Sequence, residues 1–249
     1  MGHGPWAPRA GLEVLTFWHM PCAVSLLWGL RAALLVGLVG CAAPPPLPPA
    51  EADGTVIYPP AAGVAVLTAE VGSTDQEIAR ATVADSGLYR LTLPSPPPHL
   101  GTPAARLAQQ YPASVGGVQC EGPLTLSPAG TRLLLVRSGR FLLGQQVTGR
   151  LSPATSAVTL QARPLNVVLT VRLFVYADRA ASFSAAQGCT FTLAGGQVQP
   201  GTVRGTLTLA RGWNTLVTRT EQTDAGTAVT LSASAALRGV DWQYLPLPR

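Results

Sequence analysis

Lysine is missing from this chain: all 17 basic side chains are arginine. A Gly-x-x-x-x-Gly-Lys nucleotide loop is therefore excluded. Histidine is almost missing as well. Only three occur, and past Cys41 only His99 remains, between Pro98 and Leu100. A Ser/His/Asp or Cys/His constellation would have to use His99, and no Gly-x-Ser-x-Gly elbow accompanies it. Neither Cys-x-x-Cys nor His-x-x-x-His occurs, so zinc lacks its usual ligand spacing. Asp53, Asp75, Asp85 and Asp178 are too scattered for a spaced Asp-x-Asp-x-Asp calcium loop. Aromatic residues make up 6% and charged residues 12% of the chain. From Cys41 onward there are 15 arginines against 11 acidic residues, a formal +4, with no run of adjacent basic residues. A nucleic-acid binder clusters its basic residues on a face or stripe. The expectation is a mildly basic solvated surface, no nucleic acid, and a codon bias behind the missing lysine.

What the chain does have begins with an apolar run. Arg31 precedes Ala32 to Val39, and Gly40-Cys41 follows. A positive charge, a short apolar run and small residues before a cut site form the pattern of a secretory signal. Residues 1–40 read as that leader. Residues 1–19 carry Pro5, Trp6, Pro8 and Glu13 and have no signal character. They read as a gene-model extension, with Met20 or a later codon as the start. The alternative is a retained transmembrane helix over residues 23–43, long enough to span. Arg31 at its middle and the prolines after it count against that reading.

Leu38-Val39-Gly40-Cys41 resembles a bacterial lipobox. The resemblance implies cleavage before Cys41 and lipidation of its sulfur by a diacylglycerol thioether, usually with an added N-acyl chain. At about 0.8 kcal/mol per buried methylene, two or three long chains make a firm anchor. The implied address is the extracytoplasmic face of a bacterial cell membrane or outer membrane. Residues 41–53 then form a lipid-anchored tether. Its Pro/Ala run (Pro44-Pro45-Pro46-Leu47-Pro48-Pro49) favours extended polyproline II, a semi-rigid spacer.

With Cys41 acylated and Cys22 removed, two cysteines remain in an oxidising compartment. A Cys120–Cys189 disulfide is expected. Two buried free thiols are the alternative.

Past the tether, short β-branched runs alternate with Gly, Pro and Asp/Ser turns: Thr55 to Tyr58, Val64 to Thr68, Ile78 to Val83 and Leu88 to Leu93. From Leu124 on, further runs include Thr131 to Ser138, Asn166 to Ala177, Thr202 to Leu209, Trp213 to Arg219, Ala228 to Ala236 and Trp242 to Leu245. Close turn spacing and period-two patterning predict an all-β, antiparallel sandwich architecture. Residues 54–98 form a first β segment and residues 120–249 a second β-rich domain. Residues 99–119 are a linker or excursion, with a short helix over 104–111.

Thr82-Val83-Ala84-Asp85-Ser86-Gly87-Leu88-Tyr89-Arg90-Leu91-Thr92-Leu93-Pro94 resembles the hairpin of carboxypeptidase-regulatory-like, transthyretin-like sandwiches. The resemblance covers roughly Gly54 to Pro94 and implies a structural or adhesive module with no catalytic residues. The second half, with Leu173 to Asp178 and Gly212-Trp213-Asn214, resembles a group of extracytoplasmic bacterial lipoproteins without an assigned activity.

Candidate chemistry is sparse. Asp75 with Glu77, and Glu221 with Asp224, are the carboxylate pairs a glycosidase would need, but both lie in turn-like polar segments. Trp213, Trp242 and Tyr244 could form a ligand platform, or could pack in the core. The sequence predicts no enzyme, no cofactor and no metal. It predicts a lipid-anchored envelope protein with a structural or protein-interaction role, membrane-bound through Cys41 and meeting an envelope protein or glycan. The alternative is a carbohydrate or small-ligand binding module on the same anchor.

Overall fold

The computed structural model describes residues 47–71, 74–97, 100–103, 117–192 and 196–248. The chain divides into compact units at Pro44/Pro45, and everything described belongs to the second. Cys41, the residues around it, His99 and the 104–111 segment lie outside the described residues. Among the described residues the structure is all-β, with the strands gathered into two multi-stranded sheets.

The first sheet closes into a barrel. Its strands are β1 (Ala50–Ile57), β2 (Gly63–Val71), β3 (Thr74–Val83), β4 (Leu88–Leu93), β9 (Ser138–Leu143), β10 (Gln146–Pro153) and β17 (Trp242–Pro246). Their order around the barrel is β1-β17-β10-β9-β2-β3-β4. Four strands thus come from residues 50–93 and three from residues 138–246. Alternation explains the inward face. Ala52, Gly54 and Val56 of β1 are buried, as are Tyr89, Leu91 and Leu93 of β4. The turn before β4 needs Gly87, whose φ is +82°; a side chain there would meet the carbonyl of Val56. Closure is made by β17, which lies parallel to β1 (Val56 beside Trp242) and antiparallel to β10.

The second sheet runs β5 (Thr102–Pro103), β8 (Arg132–Val136), β12 (Asn166–Ala177), β15 (Gly212–Thr223), β16 (Gly226–Ser234), β14 (Val198–Leu209), β13 (Ala181–Thr192), β6 (Val118–Glu121). β11 (Thr155–Gln161) also flanks β12, and β7 (Leu124–Ser127) also flanks β13. One face closes over its own core, built from Val175, Ala185, Phe191, Val203, Leu207 and Leu231 among others. The opposite face is covered at one end by the barrel: Leu134, Val136, Phe174 and Trp213 join the barrel core. Tyr176 and Trp213 meet edge to face there, with ring centroids 5.4 Å apart.

Cys120 and Cys189 sit directly opposite on β6 and β13 and are disulfide-bonded, Cα to Cα 4.1 Å. The bond ties the short edge strand β6 to a twelve-residue neighbour. Several elements differ from the expectation, among them β5 and β6, which begin inside the stretch read as linker. β1 starts at Ala50, inside the stretch read as tether, because Ala50, Ala52 and Gly54 are small enough to alternate into the barrel without looking like a strand. β10 was not expected at all: Gly149 and Pro153 interrupt its pattern. Gly149 is required where the ring of Tyr244 lies against the backbone.

Candidate functional site

The three aromatic candidates do not form a platform. Trp242 is fully buried in the barrel, and its indole N–H donates to the Tyr89 hydroxyl at 3.2 Å. Trp213 is 7% exposed and donates to the Pro94 carbonyl at 2.8 Å. Tyr244 is half-buried against Phe141, and its hydroxyl donates to the Thr148 carbonyl at 3.0 Å. Each polar tip is spent on an internal acceptor, the usual state of a core aromatic.

Tyr89 completes the Trp242 arrangement by donating a short hydrogen bond to the Val240 carbonyl. Desolvation raises its pKa well above the ordinary value near 10, opposed by the Trp242 hydrogen bond. The folded state therefore holds the phenol proton more tightly than the unfolded chain does. The stabilisation is fully present below about pH 10 and is lost as pH rises above it. Tyr89→Phe should cost about 1–3 kcal/mol at neutral pH, because a buried carbonyl and an indole N–H lose their partner. It should also flatten the alkaline fall in stability. Urea unfolding at neutral and alkaline pH checks both.

The carboxylate pairs lie in different surroundings. Glu77 is held below the usual carboxylate range by its hydrogen bond from Arg80, on an exposed edge. Asp224 accepts from the Leu165 N–H at 3.0 Å, fixing a turn. Asp85 accepts from Ala62 N–H and Asp178 from Arg132 N–H. These are turn and loop clamps, and among the described residues no group of three metal-ligating side chains converges.

Glu221 is placed differently. It borders an open, shallow groove formed where β14, β15 and β16 meet and lined by Thr202, Thr223, Gly226, Thr227 and Ala228 with Glu221. Two glycines create it. A side chain at Gly201 would collide with the Thr227 carbonyl, and one at Gly226 would lie 2.6 Å from the Pro200 carbonyl. Their absence lets β14 approach β16 closely enough to pair in parallel. Thr227 Oγ1 is engaged by Gln199 Nε2 at 2.5 Å, and Thr223 Oγ1 donates to the Gly226 carbonyl at 3.3 Å.

One step along the strands from the groove, the register brings arginines together. Arg219 stands beside Thr230, and Thr230 beside Arg204. Arg172 stands beside Val217, two positions from Arg219. Sequence reading saw these arginines as dispersed, since nothing local reveals that residues 172, 204 and 219 share a face.

No family model matches the chain, and neither the curated proteins nor the solved structures yield a match.

Proposed function

We propose that the chain is a lipid-anchored extracytoplasmic β-protein that acts by contact in the cell envelope, in a structural or protein-interaction role rather than by catalysis. The observation that carries this reading is the Cys120–Cys189 disulfide. Bonds of this kind persist in oxidising compartments. They leave Cys41 as the one cysteine of the processed chain open to acylation. The lipobox-like Leu38-Val39-Gly40-Cys41 and the Pro-rich stretch after it supply the anchor. The Gly87 turn with inward Tyr89, Leu91 and Leu93 supports the likeness to carboxypeptidase-regulatory-like modules, which are structural and adhesive.

A palmitate-labelling experiment tests the anchor. The wild-type chain should take up label, and Cys41→Ser should take up none and keep its leader. Equal labelling of the variant, or an unlabelled wild type, would refute the reading. A second reading, capture of a carbohydrate or small ligand, is favoured by the open groove beside Glu221.

A further inference from the structure

The face of the second sheet that the barrel covers at one end is left open along the rest of β12, β15, β16 and β14. Its exposed positions follow from parity. Val203 and Val229 are buried side by side in the sheet's own core, so their neighbours Arg204 and Thr230 point the other way. Arg219 shares that face with Thr230, and Thr170 with Arg219. Arg172 shares it with Val217.

Strands lie about 4.8 Å apart, so Arg204 and Arg219 are separated by about 10 Å with Thr230 between them. Arg172 is a diagonal step of about 7–8 Å from Arg219. Arg219 touches Glu221 at 3.8 Å, with both side chains about half exposed. Among the described residues Arg172 and Arg204 have no ion-pair partner. Glu221 is the carboxylate beside the three arginines, with Glu121 of β6 farther along the same face, and Thr170, Thr202 and Thr230 stand among them together with Val217.

We propose that this face binds an acidic polysaccharide, whose carboxylates pair with Arg172, Arg204 and Arg219 while its hydroxyls meet Thr170, Thr202, Thr230 and Glu221. Guanidinium groups hold carboxylates in bidentate pairs and stay charged at any physiological pH. Hydroxyl side chains both donate and accept, as sugar hydroxyls do. Glu221 repels an anion from the groove itself, so the groove suits the uncharged part of a sugar ring. An acidic protein segment would bring carboxylates but few hydroxyls, whereas threonine hydroxyls stand among the arginines on this face. The inference rests on the extracytoplasmic reading for its biological partner, but its test does not.

The experiment uses the full chain in detergent, immobilised, with polygalacturonate as the probe. Dextran serves as the neutral glycan and polyglutamate of matched charge as the non-sugar polyanion. Polygalacturonate should bind, and raising the salt from about 0.05 to about 0.5 M should weaken it strongly. The R172Q/R204Q/R219Q triple variant should lose at least about tenfold in affinity. Glu221→Gln should tighten carboxylate binding about two- to threefold, since it removes the like charge beside the arginines. Dextran should not bind, and polyglutamate should bind at least about tenfold more weakly than polygalacturonate.

No binding of polygalacturonate, or unchanged affinity in the triple variant, would overturn the site. Equal binding of polyglutamate would overturn the assignment to a glycan. Should the triple variant fail to fold, Arg204→Gln alone decides: it sits at an exposed strand position without a partner, and unchanged binding would count against the proposal. Failure of this test leaves palmitate labelling untouched, and failure of labelling leaves this binding untouched.

Discussion

Replacing Trp242 by alanine is expected to destabilise the protein by about 3–5 kcal/mol, a large share of the stability of an ordinary protein. Three effects combine at that position. The side chain is fully buried, so its removal opens a large cavity in the barrel. Its N–H is the partner of the Tyr89 hydroxyl, which then loses one of its two hydrogen bonds. Trp242 also begins β17, the strand that joins β1 to β10 and closes the barrel. Urea denaturation of the wild type, Trp242→Phe and Trp242→Ala should show a graded loss, with phenylalanine in between. A loss under about 1 kcal/mol for alanine would mean that the ring is not a core element, since surface changes stay within that range.

The second large effect is expected from the disulfide. Cys120 and Cys189 are 69 residues apart. Opening a loop of that length releases chain entropy worth about 4 kcal/mol, and measured losses commonly run about 2–4 kcal/mol. The double variant Cys120→Ala with Cys189→Ala should therefore unfold at a clearly lower urea concentration. Its m-value should fall or rise according to how much the cross-link compacts the unfolded chain. The loss should be concentrated at the sheet edge, because β6 is only four residues long and among the described residues pairs with β13 alone. Hydrogen exchange should show residues 118–121 opening first. If the double variant is as stable as the wild type, the bridge does not contribute what the fold implies.

The all-β class was legible because the signal is local. Val203 to Leu209 and Val229 to Ala235 alternate cleanly, and the structure buries Val203, Leu207 and Leu209 as that pattern requires. The disulfide was legible from the expected extracytoplasmic address and the even cysteine count that it leaves. The barrel was not legible. Its closure depends on β17 meeting β1 at a separation of 186 residues, recorded also in the Thr55 N–H donating to Asp241 Oδ1 at 2.9 Å. No periodicity carries such a pairing. β10 was missed because Gly149, Ser152 and Pro153 blunt its alternation, and residues 118–121 because four residues are too few to show any.

The candidate site was the least legible part. The tryptophans were readable as either surface or core, and burial decides for the core. The arginines at 172, 204 and 219 gave no signal at all. They become neighbours only through three ladders, two antiparallel and one parallel, that the sequence does not announce. The glycines at 201 and 226 were the one available hint. Their real role is to let two backbones approach, which creates the groove.

The most direct test of the account is the intact mass of the protein extracted from cell membranes, measured before and after reduction and alkylation. The predicted species begins at Cys41, carries a diacylglycerol thioether on that sulfur, and gains two alkyl groups only after reduction. A water-soluble species that still begins upstream of Cys41, or one that takes up alkyl groups without reduction, would contradict it.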